Sequence, residues 1–140
     1  APVGAHIAVT GAFAIEPCIL SLVVITWCGS FDIIYALQDV EFDRSQGLHS
    51  IPVRFGVRGA LYISIALHTV SIVALFLFAS YCPQGWLLWI GEALFCGCII
   101  LEHILVTPTR QRSIGIAFGT LNGIARLTLA TFTIAQLIVG

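Results

Sequence analysis

Long apolar segments alternate with short polar breaks along the whole chain. Four of them are long enough to cross a bilayer as a helix, which needs about twenty residues. They run from Cys18 to Tyr35, from Gly59 to Tyr81, from Gly85 to Val106 and from Ser113 to Val139, after a shorter segment from Ala1 to Ile15 that stops at Glu16-Pro17. Because an unpaired backbone cannot lie in lipid, all are predicted to be α-helical. The pattern predicts an all-α, multi-span transmembrane helical bundle of about five helices, forming one domain over residues 1–140.

The composition supports a lipid environment. Hydrophobic residues make up 59% of the chain and charged residues only 9%, so there are too few polar side chains to cover a water-soluble domain of this length. All six basic residues are arginines and they form no run, which argues against a nucleic-acid partner. The lipid bilayer is therefore the predicted partner of most of the surface.

The polar breaks differ in charge, and this difference predicts the topology. Residues 38–58 carry three arginines and residues 107–112 carry two, whereas residues 80–85 carry no charge and are followed by Trp86 and Trp89. The two arginine-bearing breaks lie on the same side of a bundle of successive spans, and the positive-inside rule makes that side cytoplasmic. We expect an integral protein of the cytoplasmic (inner) membrane, with the residue 38–58 segment facing the cytoplasm.

A cluster of carboxylates begins just before that segment and continues into it. If the helix continues, Asp32, Tyr35, Asp39 and Asp43 fall on one face, with Asp39 and Asp43 one turn apart. Two carboxylates at this spacing suit Mg²⁺, which usually takes one or two protein carboxylates and completes its coordination with water and substrate phosphate. The spacing favours a magnesium site for a diphosphate substrate. A solvated loop with charges of both signs is the alternative.

A sharp change of chain direction is predicted after the carboxylates. Gly47 can adopt the left-handed conformation that ends a helix, and Pro52 is expected to prevent the helix from resuming at once. This turn would bring His49, Ser50 and Arg54 back over Asp39 and Asp43.

These residues resemble a known family. Tyr35-Ala36-x-x-Asp39-x-x-x-Asp43, Gly47-Leu48-His49-Ser50-Ile51-Pro52 and Phe55-Gly56 resemble the second aspartate-rich motif of the UbiA-type intramembrane aromatic prenyltransferases, in the 4-hydroxybenzoate polyprenyltransferase-like branch that includes menaquinone-pathway members. The stretches Pro2-x-Gly4-Ala5, Ala8-Val-Thr10-Gly11, Glu102-His103 and Leu121-Asn122-Gly123 resemble that branch as well. Many relatives have lysine where this chain has His49.

The resemblance implies a fold and an activity. Family members have about nine helices and two aspartate-rich motifs, and this chain resembles their C-terminal half, from about the fifth helix to the ninth. It implies Mg²⁺-dependent transfer of a polyprenyl group from polyprenyl diphosphate to a small aromatic acceptor, of the 4-hydroxybenzoate or dihydroxynaphthoate type, in ubiquinone or menaquinone biosynthesis. Without the first motif, the fragment alone is expected to be inactive.

The predicted site residues follow from the shared helix face of Asp32, Tyr35, Asp39 and Asp43 together with the family resemblance. Asp39 and Asp43 are the expected catalytic and metal-binding residues, and the expected substrate-binding residues are Asp32, Tyr35, Arg44, His49 and Arg54. Phe31 either faces the reaction chamber or contacts lipid. A membrane transporter or channel segment, in which the acidic stripe binds a cation, is the alternative function.

Ionisable residues inside the spans need partners, because charge near a bilayer centre is costly. Glu92 and Arg126 lie at similar depths in consecutive antiparallel spans and are predicted to form a structural pair. Glu102 and His103 are expected to form an interfacial pair, the alternative being that they orient the aromatic acceptor, and His68 is expected to be packed or hydrogen-bonded. The five cysteines show no zinc-ligand or disulfide pattern and are predicted to be free.

Overall fold

The computed structural model describes residues 1–83, 85–107, 115 and 117–139. Its helices are α1 (Pro2–Thr10), α2 (Glu16–Tyr35), α3 (Val40–Ser45), α4 (Ile51–Ala79), α5 (Trp86–Leu105) and α6 (Asn122–Val139). A 3₁₀ turn (Ala36–Gln38) follows α2, and a π-helical turn (Ala117–Leu121) leads into α6. In the described part, four helical segments are long and apolar enough to cross a membrane: Glu16–Gln38, Ile51–Ala79, Trp86–Leu105 and Gly119–Val139. The prediction of an all-α membrane bundle is confirmed.

The helix boundaries differ from the predicted ones at two prolines. Pro17 and Pro52 lie in the first turns of α2 and α4, so each proline starts a helix instead of delaying one. The reason is that the first turn of a helix does not use the amide hydrogen that proline lacks. Helix α4 therefore begins at Ile51, not near Gly59, although its regular path is broken at Gly56, where φ is 73° and ψ is 169°. Only glycine adopts this conformation readily.

The other boundaries lie close to expectation. The first helix is shorter than predicted because Gly11, at φ 68°, ends it in the left-handed conformation. The start predicted for the last span, Ser113, lies outside the described residues.

The bundle is built from two helix pairs. Helix α2 packs along α4, and α5 packs along α6, while α4 and α5 contact each other less extensively. Polar contacts join the first pair: the Ser30 and Ser64 hydroxyl oxygens lie 2.7 Å apart, and Ser71 donates a 3.1 Å hydrogen bond to the Val23 carbonyl. Such interhelical hydrogen bonds and small residues hold helices together where the lipid offers no hydrophobic driving force.

Two apolar clusters join the pairs. The larger links all four membrane helices and consists of Ile19, Val23, Trp27, Ala74, Leu75, Phe95, Ile99 and Ala125. Within it, the Trp27 and Phe95 rings meet edge to face at 5.0 Å. The smaller cluster consists of Ile33, Ile34, Leu37, Ala60, Leu61 and Val106, and it lies where α2 ends and α4 begins. This smaller cluster positions the acidic segment.

Candidate functional site

The acidic segment leaves the end of α2 through a bend, not through a continuous helix. Leu37 is only 2% exposed because it packs into the smaller apolar cluster. This burial turns the chain: Ala36–Gln38 form a 3₁₀ turn, and Asp39 has non-helical angles, φ −106° and ψ 8°. The prediction that Asp32, Tyr35, Asp39 and Asp43 lie along one uninterrupted helix is therefore wrong.

The relationship between Asp39 and Asp43 nevertheless survives. Asp39 is the N-cap of α3, and its carbonyl accepts a 2.7 Å hydrogen bond from the Asp43 amide, so the two residues are one helical turn apart. Asp39 is exposed and Asp43 half-buried. Among the described residues, neither carboxylate forms an ion pair or a side-chain hydrogen bond. Both are available to a cation.

A left-handed glycine fixes the other end of α3, as predicted. Gly47 has φ 68°, its amide donates to the Arg44 carbonyl at 3.3 Å, and the Leu48 amide donates to the Asp43 carbonyl at 2.8 Å. These two bonds form a Schellman motif, which satisfies the last carbonyls of the helix. The short helix that carries the two carboxylates thus has backbone hydrogen bonds at its first and its last turn.

Asp32 and Tyr35 lie in the last turn of α2, and both are exposed. Asp32 lines a cleft of about 350 Å³ whose wall also includes Ala36, Pro52 and Leu67. Phe31 is 3% exposed, so it does not contact lipid. The end of α2 therefore presents a carboxylate and a phenol beside the acidic turn.

The basic residues of the predicted site are solvent-accessible. Arg44, His49 and Arg54 are all exposed, and the Arg54 guanidinium lies 5.6 Å from the centre of the Phe55 ring. The start of α4 does contact α3. In the described part of the chain, however, none of these three side chains forms an ion pair with Asp39 or Asp43. The turn brings the backbone of α4 back to α3, but it does not bring the basic side chains into ion pairs with the two carboxylates.

The residues present suit a metal only as a partial site. No group of three or more His, Cys, Asp or Glu side chains is placed to hold a metal ion within residues 1–83, 85–107, 115 and 117–139. Asp39 and Asp43 supply two oxygen donors of the type Mg²⁺ prefers, and Mg²⁺ commonly takes its other ligands from water and substrate phosphate. The donor set fits Mg²⁺ on these terms.

Sequence reasoning missed a second polar cluster, between α4 and α5. His68 Nδ1 and His103 Nε2 lie 2.8 Å apart, and His68 is 1% exposed, with its other ring nitrogen unpartnered. His103 therefore pairs with His68, not with Glu102, whose Oε1 is buried without a partner. Adjacent residues on a helix point in different directions, which explains why Glu102 and His103 do not meet. His68 is hydrogen-bonded, as predicted.

The predicted pair between Glu92 and Arg126 does not form. Both Glu92 carboxylate oxygens are buried, and neither has a hydrogen-bond partner among the described residues. Arg126 instead donates a 3.2 Å hydrogen bond from Nε to the Asn122 side chain, and its guanidinium lies 5.6 Å from the centre of the Trp27 ring. Arg126 thus interacts with Asn122, one turn away on the same helix, and with the face of the Trp27 ring, instead of with the Glu92 carboxylate. Among the described residues no disulfide joins the five cysteines, and all five are half-buried.

Comparison with known proteins decides the family. The model of the UbiA prenyltransferase family matches residues 1–130, which include every residue of the candidate site. The chain belongs to the UbiA prenyltransferase family. This confirms the resemblance drawn from the acidic motif, and with the four membrane segments it identifies this UbiA-family chain as part of an integral membrane protein.

The relatives of this UbiA-family chain carry one activity in their names. It is 32% identical over 84 residues to a 4-hydroxybenzoate octaprenyltransferase of Francisella tularensis subsp. novicida, and 31% identical over 84 residues to one of subsp. mediasiatica; each match covers 60% of this chain and 29% of the relative. A third, from subsp. tularensis strain FSC 198, is 32% identical over 77 residues, 55% of this chain and 27% of the relative. The chain thus spans less than a third of these relatives. No solved structure matches it.

Proposed function

We propose that this chain provides the second acidic motif of a Mg²⁺-dependent enzyme that transfers a polyprenyl group from polyprenyl diphosphate to a small aromatic acceptor. The observation that carries the proposal is the pair Asp39 and Asp43, one turn apart, without protein partners among the described residues, at the end of two membrane helices. Membership of the prenyltransferase family gives that pair its chemical context.

Asp39 and Asp43 would hold the metal. When bound, Mg²⁺ supplies positive charge next to the diphosphate and so stabilises the negative charge that develops on the leaving group. Arg44 and Arg54 are placed on the two sides of the turn and would contact phosphate oxygens, for which guanidinium groups have the matching geometry. His49 would donate a further hydrogen bond to the diphosphate.

The reaction is an aromatic substitution. The bond between the allylic carbon and the diphosphate oxygen breaks, and its electron pair leaves with the diphosphate. A ring carbon of the acceptor supplies the electron pair of the new carbon–carbon bond, and the ring then releases its proton. Tyr35 would stabilise the allylic cation through its aromatic face, an interaction worth about 0.5 to 2 kcal/mol. Asp32, one turn before it, would orient the acceptor.

The acceptor is assigned to the 4-hydroxybenzoate or dihydroxynaphthoate type, and the pathway to ubiquinone or menaquinone biosynthesis. The names of the relatives support a 4-hydroxybenzoate acceptor, and the resemblance of the acidic motif to the menaquinone-pathway branch supports the dihydroxynaphthoate alternative. The distribution of arginines supports an orientation in the cytoplasmic membrane with the site facing the cytoplasm. An apolar donor tail explains why such an enzyme lies in the membrane.

The test uses the full-length protein that contains this chain. Asp39→Asn and Asp43→Asn should each lower Mg²⁺-dependent transfer from polyprenyl diphosphate to 4-hydroxybenzoate or dihydroxynaphthoate by a factor of about 100 or more, because each removes a metal ligand. Glu41→Gln is the matched control: Glu41 is exposed on α3 between the two aspartates, and its variant should retain near-normal turnover. Near-normal turnover in either aspartate variant would remove that residue from the metal site.

A further inference from the structure

A groove runs between α4 and α5. It consists of two adjoining cavities, of about 250 Å³ and about 330 Å³, which share Ile65 and His103 in their walls. The first cavity lies at the end of the bundle where α4 begins and α5 ends. The second extends from it toward the middle of the two helices. Together they form one channel along the outside of the bundle.

The chemistry of the walls changes along this groove. At its outer end the wall carries Arg58, Tyr62, His103 and Thr107. Farther in, the wall is dominated by isoleucines: Ile65, Ile72, Ile99, Ile100 and Ile104. The path from Arg58 to Thr69 along α4 is about 16 Å at 1.5 Å per residue, which is comparable to the thickness of one hydrocarbon leaflet, about 15 Å. A molecule with a polar head and an apolar chain would match this change.

We propose that the groove binds an anionic phospholipid, with its phosphate at Arg58 and one acyl chain along the isoleucines. The site is separate from Asp39 and Asp43, and the proposal does not depend on the proposed activity. Basic side chains between membrane helices at the cytoplasmic side attract anionic head groups.

The charge at the head end favours a phosphodiester over a diphosphate. Arg58 is exposed and, among the described residues of the wall, it is the one charged side chain. One guanidinium balances the single negative charge of a phosphodiester and can bind it through two parallel hydrogen bonds. A polyprenyl diphosphate carries more charge and normally requires a metal, and no Asp or Glu lines the described wall to hold one.

The histidine pair sets the boundary between the two ends. His103 lines both cavities, and its Nε2 is joined to the buried His68 Nδ1 at 2.8 Å. This hydrogen bond fixes the His103 ring at the level where the polar wall gives way to the isoleucines. The same bond ties α4 to α5 at the groove, because His68 and His103 both line its second cavity.

Lipid binding can be measured directly on the full-length protein. The protein, purified in neutral detergent, is titrated with dioleoyl phosphatidylglycerol and with dioleoyl phosphatidylcholine, and bound lipid is counted by native mass spectrometry. We expect tighter binding of phosphatidylglycerol. Arg58→Gln should weaken that binding by about five- to tenfold, whereas Arg58→Lys, which keeps the charge, should retain the preference. Arg126→Gln, an exposed arginine outside the groove walls, is the control for charge.

A second pair of variants tests the chain end of the groove. Ile100 lines the groove and is 57% exposed; its neighbour Leu101 is 43% exposed on the same helix and is not among the wall residues. Ile100→Trp should fill the groove and displace phosphatidylglycerol, and Leu101→Trp should leave binding unchanged. Folding of every variant is checked by size-exclusion chromatography, in which each variant must elute as the same monodisperse species as the unmodified protein.

Three results would overturn the proposal. The first is equal binding of the two lipids by the unmodified protein, and the second is undiminished phosphatidylglycerol binding in Arg58→Gln. The third is displacement of phosphatidylglycerol from the unmodified protein by polyprenyl diphosphate or by 4-hydroxybenzoate, which would assign the groove to a substrate. Loss of lipid selectivity with intact prenyl transfer, or the reverse, separates this site from the proposed catalytic function.

Discussion

His68 Nδ1 and His103 Nε2 lie 2.8 Å apart and join the two helix pairs of the bundle. One imidazole nitrogen donates and the other accepts, and within the described part of the chain the buried His68 side chain has no other hydrogen-bond partner. This contact is a specific polar link between α4 and α5, which otherwise contact each other less than the partners within each pair. We therefore expect it to determine how the two pairs are held together.

Removal of either imidazole should destabilise the bundle. In His103→Ala, both His68 ring nitrogens would be buried without a partner, at a cost of about 1 to 3 kcal/mol in the free energy of unfolding. The measurement is thermal or denaturant unfolding of the full-length protein in detergent, followed by circular dichroism. Thr69→Ala is the matched control, because the exposed Thr69 hydroxyl bonds only to the carbonyl of Ile65 on its own helix. Equal stability of the histidine and threonine variants would contradict the structural role.

Gly47 should be intolerant of a side chain. Its φ of 68° favours glycine, so Gly47→Ala is expected to cost about 1 kcal/mol and to loosen the Schellman motif that ends α3. We expect a rise in the Mg²⁺ concentration that gives half-maximal prenyl transfer, because Asp43 would lose its fixed position. Gly97→Ala serves as control: Gly97 lies within α5, and a Cβ there would meet no atom within 4 Å. An unchanged Mg²⁺ dependence in Gly47→Ala would show that the cap does not position the site.

The charges of Glu92 and Arg126 should be energetically independent. Because Arg126 bonds to Asn122 and the Glu92 carboxylate has no hydrogen-bond partner in the described structure, a double-mutant cycle of Glu92→Gln and Arg126→Gln should give a coupling energy below about 0.5 kcal/mol. Glu92→Gln alone should preserve or raise stability, since it removes a buried charge. A coupling of several kcal/mol in the unfolding cycle would instead indicate an ion pair.

Tyr35 should act through its ring. Tyr35→Phe should retain most of the prenyl-transfer rate, while Tyr35→Ala should lower kcat by about two- to thirtyfold, the range that corresponds to a cation–π interaction. Tyr81→Ala is the control, because Tyr81 is similarly exposed but lies at the opposite end of the bundle, after α4. An equal loss in the Phe and Ala variants would transfer the role from the ring to the hydroxyl group.

The spans and their connections could be predicted from the sequence because they depend on local properties. Hydrophobic length and the positions of polar breaks do not require knowledge of which helices touch. The spacing of Asp39 and Asp43 is local as well, and it survived even though the helix around it did not continue. Pro17 and Pro52 were misjudged because a proline after a break can either delay a helix or begin it.

What could not be predicted depends on packing between distant residues. The bend before Asp39 follows from the burial of Leu37 against residues of α4 and Val106. The contact between His68 and His103 spans 35 residues. Equal depth in the membrane suggested that Glu92 and Arg126 would pair, but depth does not determine the rotation of a helix about its axis. That rotation directs Glu92 inward and leaves Arg126 beside Trp27.

The hydrogen bonds that shape the acidic turn all lie within a few residues of one another. The Asp43 amide bonds to Asp39, and the amides of Gly47 and Leu48 bond back into α3. The turn is therefore preorganised: its conformational entropy is lost when the protein folds, not when a ligand binds. Binding of a ligand to the two carboxylates should consequently change the conformation of this backbone little. The affinity of the ligand should depend mainly on its charge and on its contacts with other groups that face the two carboxylates.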